Sequence, residues 1–437
     1  MYYSAAKFLF RAIFLLGLSF PVIAESHFGP VDMGQFYASL PTLDQHARLG
    51  DIIRAEKIQT TIPGVQAWKI AYVSSDVLDH KTLVTAIVAS PAGNPPKDGR
   101  PIMAWAHGTT GTAETCGPSE VLNPVQPLNQ YFLPSGNSWT DFGLPAMKAF
   151  IKAGYVIVAT DYQGLGGGGK HQYAVAATQA HDVINSIRAV TLLKEVDAGS
   201  RAIIYGWSQG GGATIAAASM SDYLNTKGSA QDHINVIGFV ALAPYDIAII
   251  FPNKKLNNTE AAHYLKKLSL EFSGNVFDFT HYVQNVWGMV AAFSQLKLSD
   301  IFTKHGATIA NEILERKCMH AAADTFNFAY SANYSSLLRP NIRHAAAWIG
   351  AYKKGSVMPV KPMAPVIIYY GKDDTTVPPI MGKLYFDQMC QLGGNITRIQ
   401  LPGNQTHFST PGSSEPFYVK WVAERFAGKP VINGCRQ

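Results

Sequence analysis

The stretch Ala202-Ile-Ile-Tyr-Gly-Trp-Ser-Gln-Gly-Gly-Gly-Ala213 runs from an apolar, strand-like segment straight into small residues, with one serine at the junction. Glycines stand two residues before and two after that serine, at Gly206 and Gly210. A sharp strand-to-helix turn requires them, because a Cβ at either place would collide with the neighbouring strand or helix. Such a turn strains the serine backbone, holds its oxygen clear of the sheet, and aims the positive end of the following helix at it. Gly-x-Ser-x-Gly by itself also occurs in ordinary turns. Here the strand before it and the small-residue run to Ser219 after it supply the context the chemistry needs.

Working outward from the turn, short and continuously apolar runs recur at Ile102–Ala106, Val156–Ala159, Ala202–Tyr205, Val236–Ala243 and Val366–Tyr370, each bounded by Gly, Pro or Asp. Runs of that kind suit strands buried on both faces. Helix-compatible stretches such as Ala180–Lys194 lie between several of them. Strands alternating with helices imply crossover connections and an α/β fold, with a mostly parallel sheet flanked by helices. Val65–Ser75 and Thr82–Ser90, on either side of an Asp/His/Lys turn, read as an antiparallel pair ahead of the parallel part. The alternation breaks between about Tyr245 and His344, where helix-like stretches rich in Leu, Phe, Tyr and Ala replace strands. That is far longer than an ordinary connection. The expected organisation is therefore a core over 25–244, a helical cap or lid inserted at 245–344, and the remaining core over 345–437.

A serine hydroxyl is a poor nucleophile until a base removes its proton, and the base needs an acid to orient it. With the serine on this kind of turn the partners follow in the order acid, then histidine. Val366-Ile-Ile-Tyr-Tyr-Gly-Lys-Asp-Asp374-Thr-Thr-Val-Pro-Pro379 is an apolar strand ending in a glycine, with carboxylates on the loop just past it. Asp374 is the candidate acid and adjacent Asp373 its rival, since spacing alone does not separate them. Downstream, Arg398-Ile-Gln-Leu-Pro-Gly-Asn-Gln-Thr-His407 ends a further strand in a loop that holds one histidine, the candidate base. His281, His320 and His344 fall in or beside the helical insertion and read as surface or packing residues. A tetrahedral intermediate also needs backbone N–H donors for its oxyanion. Gln209, next after the serine, offers one, and Thr109, in Ala104-Trp-Ala-His-Gly-Thr-Thr-Gly111 after an earlier strand, offers the other.

These residues give the chain its likeness. It resembles the secretory lipase family of α/β-hydrolases through His107-Gly-Thr-Thr-Gly111 with Cys116-Gly-Pro-Ser119, Asp161-Tyr-Gln-Gly-Leu-Gly166, Gly206-Trp-Ser-Gln-Gly-Gly211, Gly371-Lys-Asp-Asp374-Thr-Thr-Val-Pro378 and the His407 loop. The resemblance places the acid three residues before Val-Pro, which falls on Asp374. It also implies a helical cap over the site, and it assigns Asp161 and Tyr162 to the pocket wall beside the serine without a chemical role.

The totals agree with an enzyme of this class. The chain has 437 residues, 47% hydrophobic and 15% charged, an ordinary globular composition. Its formal charge of +6 is spread along the chain with no Lys/Arg cluster of the kind that marks a nucleic-acid surface. Lys7 and Arg11 precede the apolar run Ala12–Phe20, and Val22-Ile-Ala24 supplies small residues before Glu25, the pattern of a signal peptide over 1–24. The run is too short to span a bilayer, and no later segment is long and apolar enough to do so. The mature protein is therefore expected to be exported. In an oxidising compartment Cys116, Cys318, Cys390 and Cys435 are expected to pair, Cys390–Cys435 within the C-terminal part and Cys116–Cys318 by remainder. They lack metal-ligand spacing. Asn257, Asn333, Asn395 and Asn404 lie in Asn-x-Ser/Thr patterns that matter only in a glycosylating host.

The sequence thus predicts an exported serine hydrolase for carboxylic esters, a triacylglycerol lipase first, needing no metal or organic cofactor and taking an ester or lipid substrate. A short-chain carboxylesterase or a secreted acyltransferase would use the same residues. A non-catalytic, hydrolase-like binding protein would be expected to have lost one of them.

Overall fold

Nine strands form a single sheet in the computed structural model, which describes residues 34–38, 40–44, 46–121, 123–126, 143–226, 228, 233–330 and 333–436. The proposed signal peptide lies outside the described residues. The strands are β1 (Ile52–Ile58), β2 (Val65–Ser75), β3 (Lys81–Pro91), β4 (Arg100–Ala106), β5 (Val156–Thr160), β6 (Ala198–Trp207), β7 (Asn235–Leu242), β8 (Val366–Tyr370) and β9 (Ile396–Gln400). Their order across the sheet is β1-β2-β3-β5-β4-β6-β7-β8-β9. Strands β4 to β9 run parallel, while β1, β2 and β3 add on in antiparallel fashion at one side. The chain passes from β4 to β5 on one side and then crosses to β6 on the other, so β4 is where the direction of winding reverses. Ligand crevices of open α/β sheets form at the carboxyl ends of strands beside such a reversal.

The continuously apolar strands are explained by burial on both faces. Along β4, β5 and β6, alternate residues Ile102, Ala104, Val156, Val158, Ala202 and Ile204 enter one core, packed under helices α1 (Ala176–Leu192) and α2 (Gln209–Ala218). The intervening residues Met103, Trp105, Ile157, Ile203 and Tyr205 enter the other, with Phe150, Tyr418 and Trp421. Side chains alternate between faces with a period of two, so a strand sandwiched by helices must be apolar at every position. The β2–β3 hairpin is in register from Val65↔Pro91 to Ser75↔Lys81. Asp76 closes its turn, Oδ1 accepting from the backbone of Leu78 and His80. Strand β1 was not anticipated. Its sequence Ile-Ile-Arg-Ala-Glu-Lys-Ile lacks an apolar run because it is an edge strand, and charged side chains discourage further pairing there.

Between β7 and β8 the chain forms helices α3 (Asn258–Glu271), α4 (Val276–Ala292), α5 (Lys304–Leu314), α6 (Met319–Tyr330) and α7 (Ala345–Lys354). They enclose a core of their own around Phe279, Tyr282, Trp287, Phe326 and Trp348. Trp348 lies on α7, so this helical layer continues past residue 344. Cys116–Cys318 and Cys390–Cys435 are disulfide-bonded. The first clips the start of α6 to the loop after β4, where Gly111 and Cys318 also form an isolated bridge. Among the described residues, no helix is long and apolar enough to cross a membrane.

Candidate active site

Ser208 sits between the end of β6 and the first residue of α2 with φ 58° and ψ −118°. A non-glycine residue there is strained by about 1–3 kcal/mol and persists only where its surroundings overdetermine it. They do. The Ser208 N–H donates to the Leu242 carbonyl at 2.9 Å, and the Ser208 carbonyl accepts from Gly212 and Tyr245, each at 3.0 Å. The flanking glycines are steric necessities. A Cβ on Gly206 would lie 2.3 Å from the Gly210 carbonyl oxygen, and one on Gly210 would lie 1.9 Å from that of Ala106. The turn is thus wedged against the end of β4.

The His407 Nε2 lies 2.9 Å from Ser208 Oγ, and its Nδ1 lies 2.8 Å from Asp374 Oδ2. Asp374 is fixed through its other oxygen, which accepts from the backbone N–H groups of Thr376 at 3.1 Å and Val377 at 2.8 Å. A carboxylate oxygen can only accept, so Nδ1 carries the ring proton and Nε2 presents its lone pair to the serine. Ser208, Asp374 and His407 are 5%, 4% and 3% exposed. Asp373, by contrast, is exposed, and its backbone N–H donates to the Gln405 carbonyl at 3.0 Å. A Cβ on Gly371 would stand 2.2 Å from that same carbonyl oxygen, so glycine there lets the Asp374 loop press against the His407 loop. The Trp207 indole N–H donates to the His407 carbonyl at 3.2 Å, and the two rings lie 4.8 Å apart. Hydroxyl, imidazole and carboxylate in series can move a proton from oxygen to nitrogen and back.

The loop after β4 lies alongside. Thr109 lines a cavity with Ser208 and His407, and its hydroxyl is 2.7 Å from the Tyr173 hydroxyl. Gln209 is the first residue of α2, where a backbone N–H has no partner within the helix. Behind the loop, the His107 ring nitrogens face the carbonyls of Gly108 and Asp161, and burial pushes its pKa down to about 4. Asp161 and Tyr162 do not line the cavity beside the serine. Asp161 is buried and accepts from Thr85 Oγ1 at 2.6 Å, from Ser119 N at 2.9 Å and from Ser119 Oγ. Burial raises its pKa against those hydrogen bonds. Tyr162 donates to the His107 carbonyl at 3.0 Å. Both residues buttress the loop through His107.

Two small cavities meet at Ser208. One, of about 10 Å³, is lined by Thr109, Trp207, Phe277, His281, Met319, His320, His407 and Phe408. The other, of about 10 Å³, is lined by Tyr173, Tyr245, Phe272, Asp278, His281, Thr376 and Val377. His281 and His320 therefore face the serine, contrary to their sequence reading as surface or packing residues. His281 lies on the inner side of α4. The disulfide to Cys116 carries His320 to the site, and the Met319 N–H donates to the Thr110 carbonyl at 2.9 Å. The expected Cys116–Cys318 pairing held the missed signal, since it joins the start of α6 to the loop of Thr109. Burial drives the His281 pKa down to about 3.

Comparison with known proteins agrees with this architecture. The family described as Secretory lipase matches residues 137–225 and 277–434, more than half of the chain. Lipase 4 of Candida albicans is 22% identical over 420 residues, spanning 92% of this chain and 83% of the relative. Lipase 9 of the same organism is 22% identical over 431 residues, spanning 93% and 87%. Among solved structures, lipase A of Candida antarctica superposes with a TM-score of 0.68 at 17% identity, covering 93% of this chain and 86% of that one. The rice cell wall degrading esterase LipA of Xanthomonas oryzae gives 0.62 at 14% identity, covering 87% and 100%. These solved structures share the α/β-hydrolase fold with it. A match over both the segment that carries the serine turn and the segment that carries the acid and histidine loops leaves no doubt of descent: the chain is a carboxylic ester hydrolase and belongs to the secretory lipase family.

Proposed function

We propose that Ser208 is the nucleophile, His407 the general base and then acid, and Asp374 the residue that orients the imidazole. What carries this reading is the continuous hydrogen-bonded series from Ser208 Oγ through both nitrogens of His407 to Asp374. Ser208 Oγ attacks the ester carbonyl as its proton passes to His407 Nε2. The backbone N–H groups of Thr109 and Gln209 hold the oxyanion. His407 then gives its proton to the departing alkoxide, and the C–O bond breaks to leave an acyl-enzyme. Water, deprotonated by the same imidazole, attacks the acyl carbon, and the carboxylic acid leaves as the proton returns to Ser208 Oγ. The helices between β7 and β8 act as a cap that excludes bulk water from this chemistry.

The substrate is a lipid ester, triacylglycerol in the first instance, and the protein acts after export with residues 1–24 removed. Relatives named as lipases and two disulfides support both statements. A second reading, a carboxylesterase for short acyl groups, is favoured by the narrowness of the two cavities at Ser208, each of about 10 Å³. Fluorophosphonate labelling followed by peptide mapping tests the nucleophile. The expected adduct is on Ser208 alone, and an adduct elsewhere, or full turnover by Ser208→Ala, rejects the assignment. A series of esters from butanoyl to oleoyl separates the two substrate readings.

A further inference from the structure

The cavity lined by Tyr173, Tyr245, Asp278, His281 and Thr376, together with Phe272 and Val377, sets several polar side chains among apolar ones beside Ser208. Tyr245 is 7% exposed, and its hydroxyl, buried from solvent, has no hydrogen-bond partner. The phenols of Tyr282, Tyr385 and Tyr418 are also buried without partners, but it is Tyr245 that lines a cavity with Ser208. A buried polar group left unpaired is costly, and its persistence beside a reacting atom points to a partner that arrives with the substrate. Two acceptors share the same wall. The Asp278 carboxylate, half-buried, is tethered by Asn275 Nδ2 at 2.6 Å. The Nδ1 of His281 lies 2.9 Å from the Phe277 carbonyl, which can only accept, so Nε2 is left as an acceptor.

The geometry around the serine says which half of the ester enters here. The leaving oxygen must be within reach of His407, and the oxyanion must reach Thr109. Both residues line the other cavity, whose remaining walls are Trp207, Phe277, Met319, Phe408 and the imidazoles of His281 and His320. With those two directions taken, the acyl substituent points to the Tyr245 side. Resting on the assignment of Ser208 and taking the short-acyl reading one step further, we infer that the cavity of Tyr245, Asp278 and His281 is an acyl subsite for a short chain bearing a hydroxyl group. Tyr245 and Asp278 are then residues that determine specificity.

Paired esters test this in a pH-stat with the full-length mature enzyme. Ethyl butanoate and each enantiomer of ethyl 3-hydroxybutanoate differ by one hydroxyl on the acyl side and share a leaving group. A site built to hydrogen-bond a substrate hydroxyl discriminates strongly against an analogue lacking it. The wild type should therefore favour one hydroxy ester in kcat/KM by about tenfold or more. Tyr245→Phe should cut that ratio by about tenfold, and so should Asp278→Asn, a half-buried position that carries the test if the first variant folds poorly. A wild-type ratio at or below one, or a ratio that neither variant moves, overturns the inference. So does a shift that appears instead between propyl butanoate and 3-hydroxypropyl butanoate, which differ only in the alcohol. Failure of the underlying assignment would look different: Ser208→Ala would then hydrolyse all of these esters.

Discussion

Replacing Asp374 by asparagine isolates the orienting role proposed for it from the geometry. The side chain keeps its size, and its carbonyl oxygen can still accept from the N–H groups of Thr376 and Val377, at 3.1 and 2.8 Å in the parent. That contact then turns the amide NH₂ toward His407 Nδ1, where Asp374 Oδ2 had stood at 2.8 Å. An NH₂ group donates and does not accept, so the imidazole must put its proton on Nε2 to avoid two opposed donors. Nε2 then faces Ser208 Oγ as an N–H and can no longer remove the hydroxyl proton. Loss of the correct tautomer in a triad of this kind lowers kcat by about 10⁴, equivalent to about 5 kcal/mol of transition-state stabilisation. KM should change little, because Asp374 is not on either cavity wall. The assay is steady-state hydrolysis of nitrophenyl butanoate beside a thermal melt that confirms folding. Asp373→Asn is the internal control: that side chain is exposed, and activity should stay within about twofold of wild type. If Asp374→Asn keeps more than about a tenth of the activity, or Asp373→Asn falls as far as it does, the tautomer argument is wrong.

Three further outcomes follow from particular contacts. Replacing Cys116 and Cys318 together by alanine opens a loop spanning 202 residues, which should lower stability by about 2–5 kcal/mol, read as a fall in melting temperature. The same pair should also slow ester turnover, because the disulfide holds the start of α6 beside Thr109, and an unchanged melt refutes the first part. Burial raises the Asp182 pKa from 3.8 to about 7, so between those values the folded protein keeps a proton that the unfolded chain has lost. Its contribution to stability therefore falls as pH rises through that window, with a limiting slope of about 1.4 kcal/mol per pH unit. Asp182→Asn removes that slope, and its stability relative to wild type, from urea unfolding at about pH 5 and about pH 7, should be greater at the higher pH; a constant difference rejects the assignment. Tyr245→Phe removes a buried hydroxyl with no partner and should stabilise the empty enzyme by about 1 kcal/mol, whereas a loss of that size would mean the hydroxyl is already satisfied.

The sheet was legible because its central strands are buried on both faces, which writes them as unbroken apolar runs. Strands β4 to β8 each carry that signature, whereas β1 does not, since an edge strand with Arg54, Glu56 and Lys57 obeys a different rule. The turn of Ser208 was legible for a steric reason: a Cβ at position 210 would lie 1.9 Å from the Ala106 carbonyl oxygen, so the fold fixes glycine there. Asp373 and Asp374 illustrate the opposite case. Both lie on one post-strand loop and have the same chemistry, and only the backbone path, with Gly371 against Gln405, decides which is buried and which faces water. The resemblance to a family chose between them where spacing could not.

The walls of the two cavities were the least legible part, and the reason is in how they are made. The frame that holds Ser208, His407 and Asp374 is cut from strand ends, where close backbone approach restricts each position to a few residue types. Phe277, Asp278, His281, Met319 and His320 of the cavity walls come instead from helices α4 and α6, where any side chain on the inner face is sterically admissible. Phe277 and His281 stand one turn apart on α4 with Asp278 next to the first, as an ordinary amphipathic helix would arrange them, and nothing in their spacing separates a core-facing from a site-facing role. The one covalent constraint that crosses from frame to helices is Cys116–Cys318, and it brings Met319 and His320 to the serine. On the proposed assignment, chemistry in this molecule is set by backbone geometry, and specificity in part by helix side chains free to vary. Substitutions on α4 should accordingly change which ester is cleaved long before they change how it is cleaved.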